Sequence, residues 1–138
     1  MRMNEALLPE GWPRPKGYAN GVAATGRQIY VAGQVGWNPQ GVWETDDFAA
    51  QTRQALANIV AVLQSAGAQP KHIVRMTWYV TSVDRYRRSR KELGAIWRET
   101  MGASYPPMAL VEVKRLVEKV ALLEIETTAV IPYAEGPT

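Results

Sequence analysis

Two glutamates, Glu124 and Glu126, stand two residues apart in the run "ALLEIETTAVI", whose alternation predicts a strand with both carboxylates on one face. A carboxylate so placed can position a water molecule and move protons. The same pair also reads as a charge network along a subunit contact, closed by a lysine or arginine. A second stretch, "SYPPMALVEV" at residues 104–113, sets two prolines against another alternating run. It reads either as a strand with a stiff entry or as the rim of a pocket. Met108, the first residue after the prolines, is apolar and flexible, so it suits an irregular apolar surface and offers a carboxylate nothing. Arg75 and Arg115 are available as guanidinium groups, but spacing alone does not bring either to a site.

Other chemistries are closed off by composition. The chain has 138 residues and no cysteine, which excludes disulfides, thiolate metal sites and a cysteine nucleophile. His72 is the only histidine, which argues against a histidine metal cluster or a Ser-His-Asp triad. The formal net charge is +3, with much of the excess in "DRYRRSRK". That run lacks the interleaved aromatics of a single-strand platform and reads as a solvated helix face rather than a nucleic-acid surface. No stretch approaches the length of a membrane span, so a cytoplasmic protein with no membrane partner is expected.

The elements that must position these residues follow from periodicity. The length fits one domain over residues 1–138, with an irregular, proline-bearing segment over 1–15. "YANGVAATGRQIYVAGQVGW" reads as a hairpin turning at "TGRQ". A helix over "TDDFAAQTRQALANIVAVLQSAG" has Thr45 or Asp46 as its cap, a stripe of Phe48, Thr52, Ala55, Leu56, Ile59, Val62 and Leu63, and a stop at Gly67. "HIVRMTWYVTS" is a strand with Val74, Met76, Trp78 and Val80 on one face. "VDRYRRSRKELGAIWRETMG" is a second helix, with Tyr86, Leu93, Ile96, Trp97 and Met101 on one side, and two strands close the chain. The order β-β-α-β-α-β-β favours an α+β fold with a mixed sheet and both helices on one face. The other sheet face is mixed in polarity, which points to burial against another copy of the chain. Trp78 and Trp97 read as core between sheet and helix, and Trp37 as interface packing or a stacking surface for a flat ligand.

Six segments in this order, "KGYANGV", "IYVAGQV", "AAQTRQALANIVAVLQSAG", "IVRMTWYVT", "YPPMALVEV" and "LLEIETTAV", make the chain resemble the Rid family of reactive intermediate deaminases, also called YjgF, over about residues 16–132. The resemblance implies a chorismate-mutase-like trimeric barrel with a cleft between each pair of subunits. It implies cofactor-free hydrolysis of enamines and imines, such as 2-aminoacrylate, to a keto acid and ammonia. Carried over by position, it makes Glu124 the residue that handles water, and Tyr18 and Gly33 part of the substrate site. It puts Lys91 where the family has an asparagine, and Met108 where the family grips the substrate carboxylate with an arginine. Backbone groups around Met108 and Leu110 would orient the substrate. With the arginine gone, the expected substrate is a small metabolite other than 2-aminoacrylate. The alternative is a trimer that binds a metabolite without turnover; RNA binding or cleavage is a weaker one.

Overall fold

A computed structural model describes residues 4–133. In chain order its elements are β1 (Glu5–Leu7), β2 (Gly21–Ala23), β3 (Gly26–Gln34), α1 (Phe48–Ser65), β4 (Ile73–Val80), α2 (Val83–Arg88), α3 (Arg90–Met101), β5 (Met108–Glu112) and β6 (Leu123–Pro132). β3, β6, β4 and β5 lie side by side in that order as one four-stranded sheet. β6 runs antiparallel to both of its neighbours, while β4 and β5 are parallel. The parallel pair requires a crossover, and α2 with α3 supplies it. The mixed α+β sheet read from the sequence is therefore present, with the long helices packed on one face.

The barrel is not. β3 and β5 are the outer strands of this sheet, which is neither closed nor curled on itself, so the expected chorismate-mutase-like trimeric barrel is corrected to an open mixed sheet. Closure needs every strand paired on both sides with a consistent tilt, and four strands with two outer edges do not meet that condition. The expected hairpin is also absent. β2 pairs with β1, with Glu5 opposite Ala23, while β3 pairs with β6 from Gly26 opposite Pro132 to Gln34 opposite Ile125. The segment expected to be irregular thus contributes a short strand; its residues 1–3 lie outside the described residues.

α1 begins one residue later than the expected caps, where Asp47 accepts the Ala50 N–H at 2.9 Å, and Thr45 Oγ1 in turn accepts the Asp47 N–H. It ends at Ser65, and Gly67 at φ +77° turns the chain away while the Ala68 N–H reaches back to the Leu63 carbonyl. Leu56, Ile59 and Leu63 are fully buried, as the 3.6-residue period requires, but Val62 falls off the stripe and is exposed. The surprise on this helix is Gln51, which is completely buried. Its Nε2 donates to the Thr45 and Val120 carbonyls and its Oε1 accepts the Leu122 N–H at 2.8 Å, so it ties the loop before α1 to the entry of β6. The second expected helix is broken at Ser89, whose Oγ donates back to the Arg85 carbonyl, leaving α2 and α3 as separate pieces.

β6 is the central strand. Leu123, Ile125, Thr127 and Ala129 are buried beneath the helices, and Glu124 and Glu126 point to the opposite face. On β4 a register shift between Ile73 and Arg75 moves Val74 off the core face, leaving Ile73, Met76, Trp78 and Val80 buried.

Candidate functional site

Two separate regions hold the residues that the sequence singles out. The first is a groove of about 650 Å³ on the helix side of the sheet, between α3, β5 and the segment around Tyr18. Tyr18, Met108 and Leu110 all line it. Met108 and Leu110 stand in register with Met76 and Trp78 of β4, which turns both toward the helices, where they pack against the core. The two prolines hold this rim in place through their carbonyls: Pro106 accepts the Ala19 N–H at 3.3 Å and Pro107 the Met76 N–H at 3.1 Å. The stiff entry and the pocket rim are thus one feature.

The groove walls are aromatic. Trp97 and Tyr105 stack with centroids 6.0 Å apart and planes 19° from parallel, and Trp78 meets Tyr86 edge-on at 6.3 Å. Trp97 is fixed by donating its Nε1–H to the Ser104 carbonyl at 3.0 Å. Lys16, Arg90 and Arg98 also line the groove, with no acidic residue among its lining residues and no salt bridge to any of the three among the described residues. A concave, partly apolar surface carrying charge of one sign attracts anions.

The second region is the open face of the sheet. Glu124 stands opposite Tyr79 in register, and Val111 opposite Tyr79 on the other side, so all three face away from the helices. β3 has a bulge between Val31 and Gln34, which brings Gly33 against Glu124. A Cβ on Gly33 would lie 2.6 Å from Glu124 Oε2, so the glycine leaves the room that the carboxylate occupies. Glu124 has no hydrogen-bond or salt-bridge partner among the described residues. Glu126 does: the Tyr79 hydroxyl donates to its Oε1 at 2.7 Å. That hydrogen bond to Glu126 is the main reason the Tyr79 pKa is raised, with desolvation and the Glu126 charge adding to it. Tyr79 thus keeps its proton at neutral pH and stays a donor.

The structure therefore brings Glu124 and Gly33 together, and Tyr18, Met108 and Leu110 together, on opposite faces of the sheet. Lys91 is exposed and does not line the groove. The residues that reasoning from sequence missed are Arg90, Arg98, Tyr86 and Tyr105. Their signal was present: Arg90, Leu93, Gly94, Trp97 and Arg98 recur at helical spacing on one face of α3, and Lys91 is one step off it. Trp37 packs on Trp43 at 5.9 Å and is not part of the groove. Among the described residues, no group of three or more His, Asp or Glu side chains is placed to hold a metal, and no helix is long and apolar enough to cross a membrane.

An open mixed sheet backed by helices, with an aromatic cationic groove on one face and an unpaired glutamate beside a glycine on the other, defines this small α+β protein. Residues 13–131 match the family model described as Endoribonuclease L-PSP. A RutC family protein of Pyrococcus horikoshii is 32% identical over 128 residues, 92% of this chain and 98% of that one. The 2-iminobutanoate/2-iminopropanoate deaminase of Escherichia coli K12 is 33% identical over 129 residues, 93% of this chain and 98% of that one. The crystal structure of YyfB from Yersinia pestis, a conserved Rid family protein of unknown function, is similar with a TM-score of 0.80 at 32% identity, covering 94% of this chain and all of that one. The chain belongs to the Rid (YjgF) family.

Proposed function

We propose that this protein is a cofactor-free enamine/imine deaminase, working in the cytoplasm on a small metabolite other than 2-aminoacrylate. The observation that carries the reading is the unpaired Glu124 carboxylate held against Gly33, in a chain 33% identical to an iminobutanoate deaminase. An enamine first gains a proton on carbon to become an imine. Glu124 then takes a proton from water as the oxygen attacks the imine carbon, and returns it to the nitrogen. Collapse of the tetrahedral adduct breaks the C–N bond, giving a ketone and ammonia with no net change in oxidation state. Tyr18 stands at the groove mouth, and the backbone around Met108 and Leu110 orients the substrate. Lys91, one position off the groove-facing stripe, contributes charge only.

The two halves face opposite sides of one chain's sheet. Completing a site from both takes two copies, and a homotrimer with clefts between its subunits is the assembly we propose. The mixed polarity of the open face, with Val111 beside Tyr79 and Glu124, supports its burial against another subunit.

A second reading is a trimer that binds a metabolite without turnover: Met108 packs against the core and offers a carboxylate nothing, at the position where the family resemblance implies an arginine. Ammonia release from imines generated in situ separates the two. Turnover that is lost in Glu124→Gln supports the deaminase. Ligand binding with no turnover of any enamine or imine supports the binding protein.

A further inference from the structure

We propose that Arg98 grips the anionic end of a planar, conjugated carboxylate lying in the groove, so that the site takes flat unsaturated or aromatic acids in preference to short alkyl imino acids. This rests on the reading that the groove is the substrate-binding half of the site.

Arg98 packs over a glycine. Its Nη1 lies 3.5 Å from where a Cβ on Gly94 would stand, and no other atom outside the helix's own backbone comes within 4 Å of that point. The guanidinium is thus folded back one turn along α3, over the surface that a side chain at position 94 would cover. Among the described residues Arg98 has no carboxylate partner, unlike Arg53, which pairs with Glu99 at 3.2 Å. A free guanidinium presents a planar fork that matches a carboxylate with two parallel hydrogen bonds. Arg90, eight residues earlier and roughly 12 Å away along the helix axis, is differently occupied: its guanidinium lies over the Tyr86 ring at 6.0 Å. It adds positive potential at the far end of the groove while its planar face is engaged.

The walls select the rest of the ligand. Tyr105, backed by the buried Trp97, offers an exposed flat ring in the groove that Arg98 also lines, and Met108 supplies an apolar floor. Flat rings gain most contact from a flat, conjugated partner. A groove of about 650 Å³ is within the range that encloses larger organic ligands, and a four-carbon acid leaves most of it to water.

Equilibrium binding of three unreactive probes tests this, read by calorimetry and by the fluorescence of the groove tryptophans: trans-cinnamate, its uncharged amide, and 2-oxobutanoate. Cinnamate is expected to bind at least tenfold more tightly than either of the others. Arg98→Ala is expected to weaken cinnamate at least tenfold and leave the amide unchanged. Gly94→Val, which displaces the guanidinium without removing it, is expected to act in the same direction. Arg53→Ala, which removes a neighbouring surface charge, is expected to change nothing. Equal affinities for cinnamate and 2-oxobutanoate, no cinnamate binding, or cinnamate binding indifferent to Arg98→Ala would overturn the proposal. Because the probes do not react, the outcome is independent of turnover. Selective cinnamate binding without deamination of any imine sinks the deaminase reading and keeps this one; Glu124-dependent deamination with no preference for planar acids does the reverse.

Discussion

The groove under α3 and the open sheet face around Glu124 are built from the same strands, yet they differ in every property that matters for chemistry. The groove is walled by stacked aromatic rings, carries three cations and has no acid. The open face carries two carboxylates, one held by Tyr79 and one unpaired. A single residue step separates them: Leu110 and Trp78 face the groove, and Val111, Tyr79 and Glu124 face the other way. Because strand side chains alternate, the two charge sets lie on opposite faces of the sheet within a single copy.

The largest expected effect comes from breaking the open face. Glu124→Gln should lower turnover by about two to four orders of magnitude while leaving ligand binding in the groove intact, measured as kcat by ammonia release and as Kd by calorimetry. Gly33→Val should lower kcat about a hundredfold, the scale of a displaced reacting group, because the new Cβ lands 2.6 Å from the carboxylate oxygen. Groove binding should again be unchanged. Gln51→Leu sharpens the comparison through stability. It leaves the Thr45 and Val120 carbonyls and the Leu122 N–H without their partner, and each such loss costs about 1–3 kcal/mol. The denaturant midpoint should fall, with activity lost before groove binding as the entry to β6 loosens.

The smallest effect belongs to neither region. Desolvation, then the nearby Lys71 charge, lowers the His72 pKa from 6.5, and its Nδ1 accepts the Gln69 N–H at 2.9 Å, which only the form with Nδ1 unprotonated can do. A depressed folded pKa means stability that is present above pH 6.5 and is lost as pH falls toward the folded value. Thermal melts from pH 7.5 to pH 5.5 should show a slightly steeper loss of Tm in the native chain than in His72→Gln.

Much of the fold was legible because it rests on period. The stripe of α1, Val62 apart, and the alternation of β6 appear in the sequence as they stand in the structure, since each buries one face. Failures came where a long-range partner decided the outcome. β2 and β3 have hairpin chemistry at "TGRQ", but β1 and β6 offer each of them a better ladder, and local sequence carries no trace of that. The burial of Gln51 left no trace in the apolar stripe, because the Val120 carbonyl and the Leu122 N–H that pair with it lie about seventy residues on. In the candidate site, Glu124, Gly33, Tyr18 and Met108 were singled out through the family pattern, and the structure sets Glu124 beside Gly33 and Tyr18 with Met108 along one groove. Arg98 was overlooked although it shares a helix face with Leu93, Gly94 and Trp97, because the basic run before it reads as a solvated surface.

The central claim, that carboxylate and groove from different copies complete each site, is tested most directly by mixing two inactive variants. Glu124→Gln removes the proton-handling group, and Gly94→Phe fills the groove on the opposite face. Each is expected to be inactive alone. Co-expressed in equal amounts, they should recover roughly a quarter of the native ammonia release, because that share of subunit contacts pairs an intact carboxylate with an open groove. Activity no greater than that of the separate variants, in particles shown to contain both, would contradict the account.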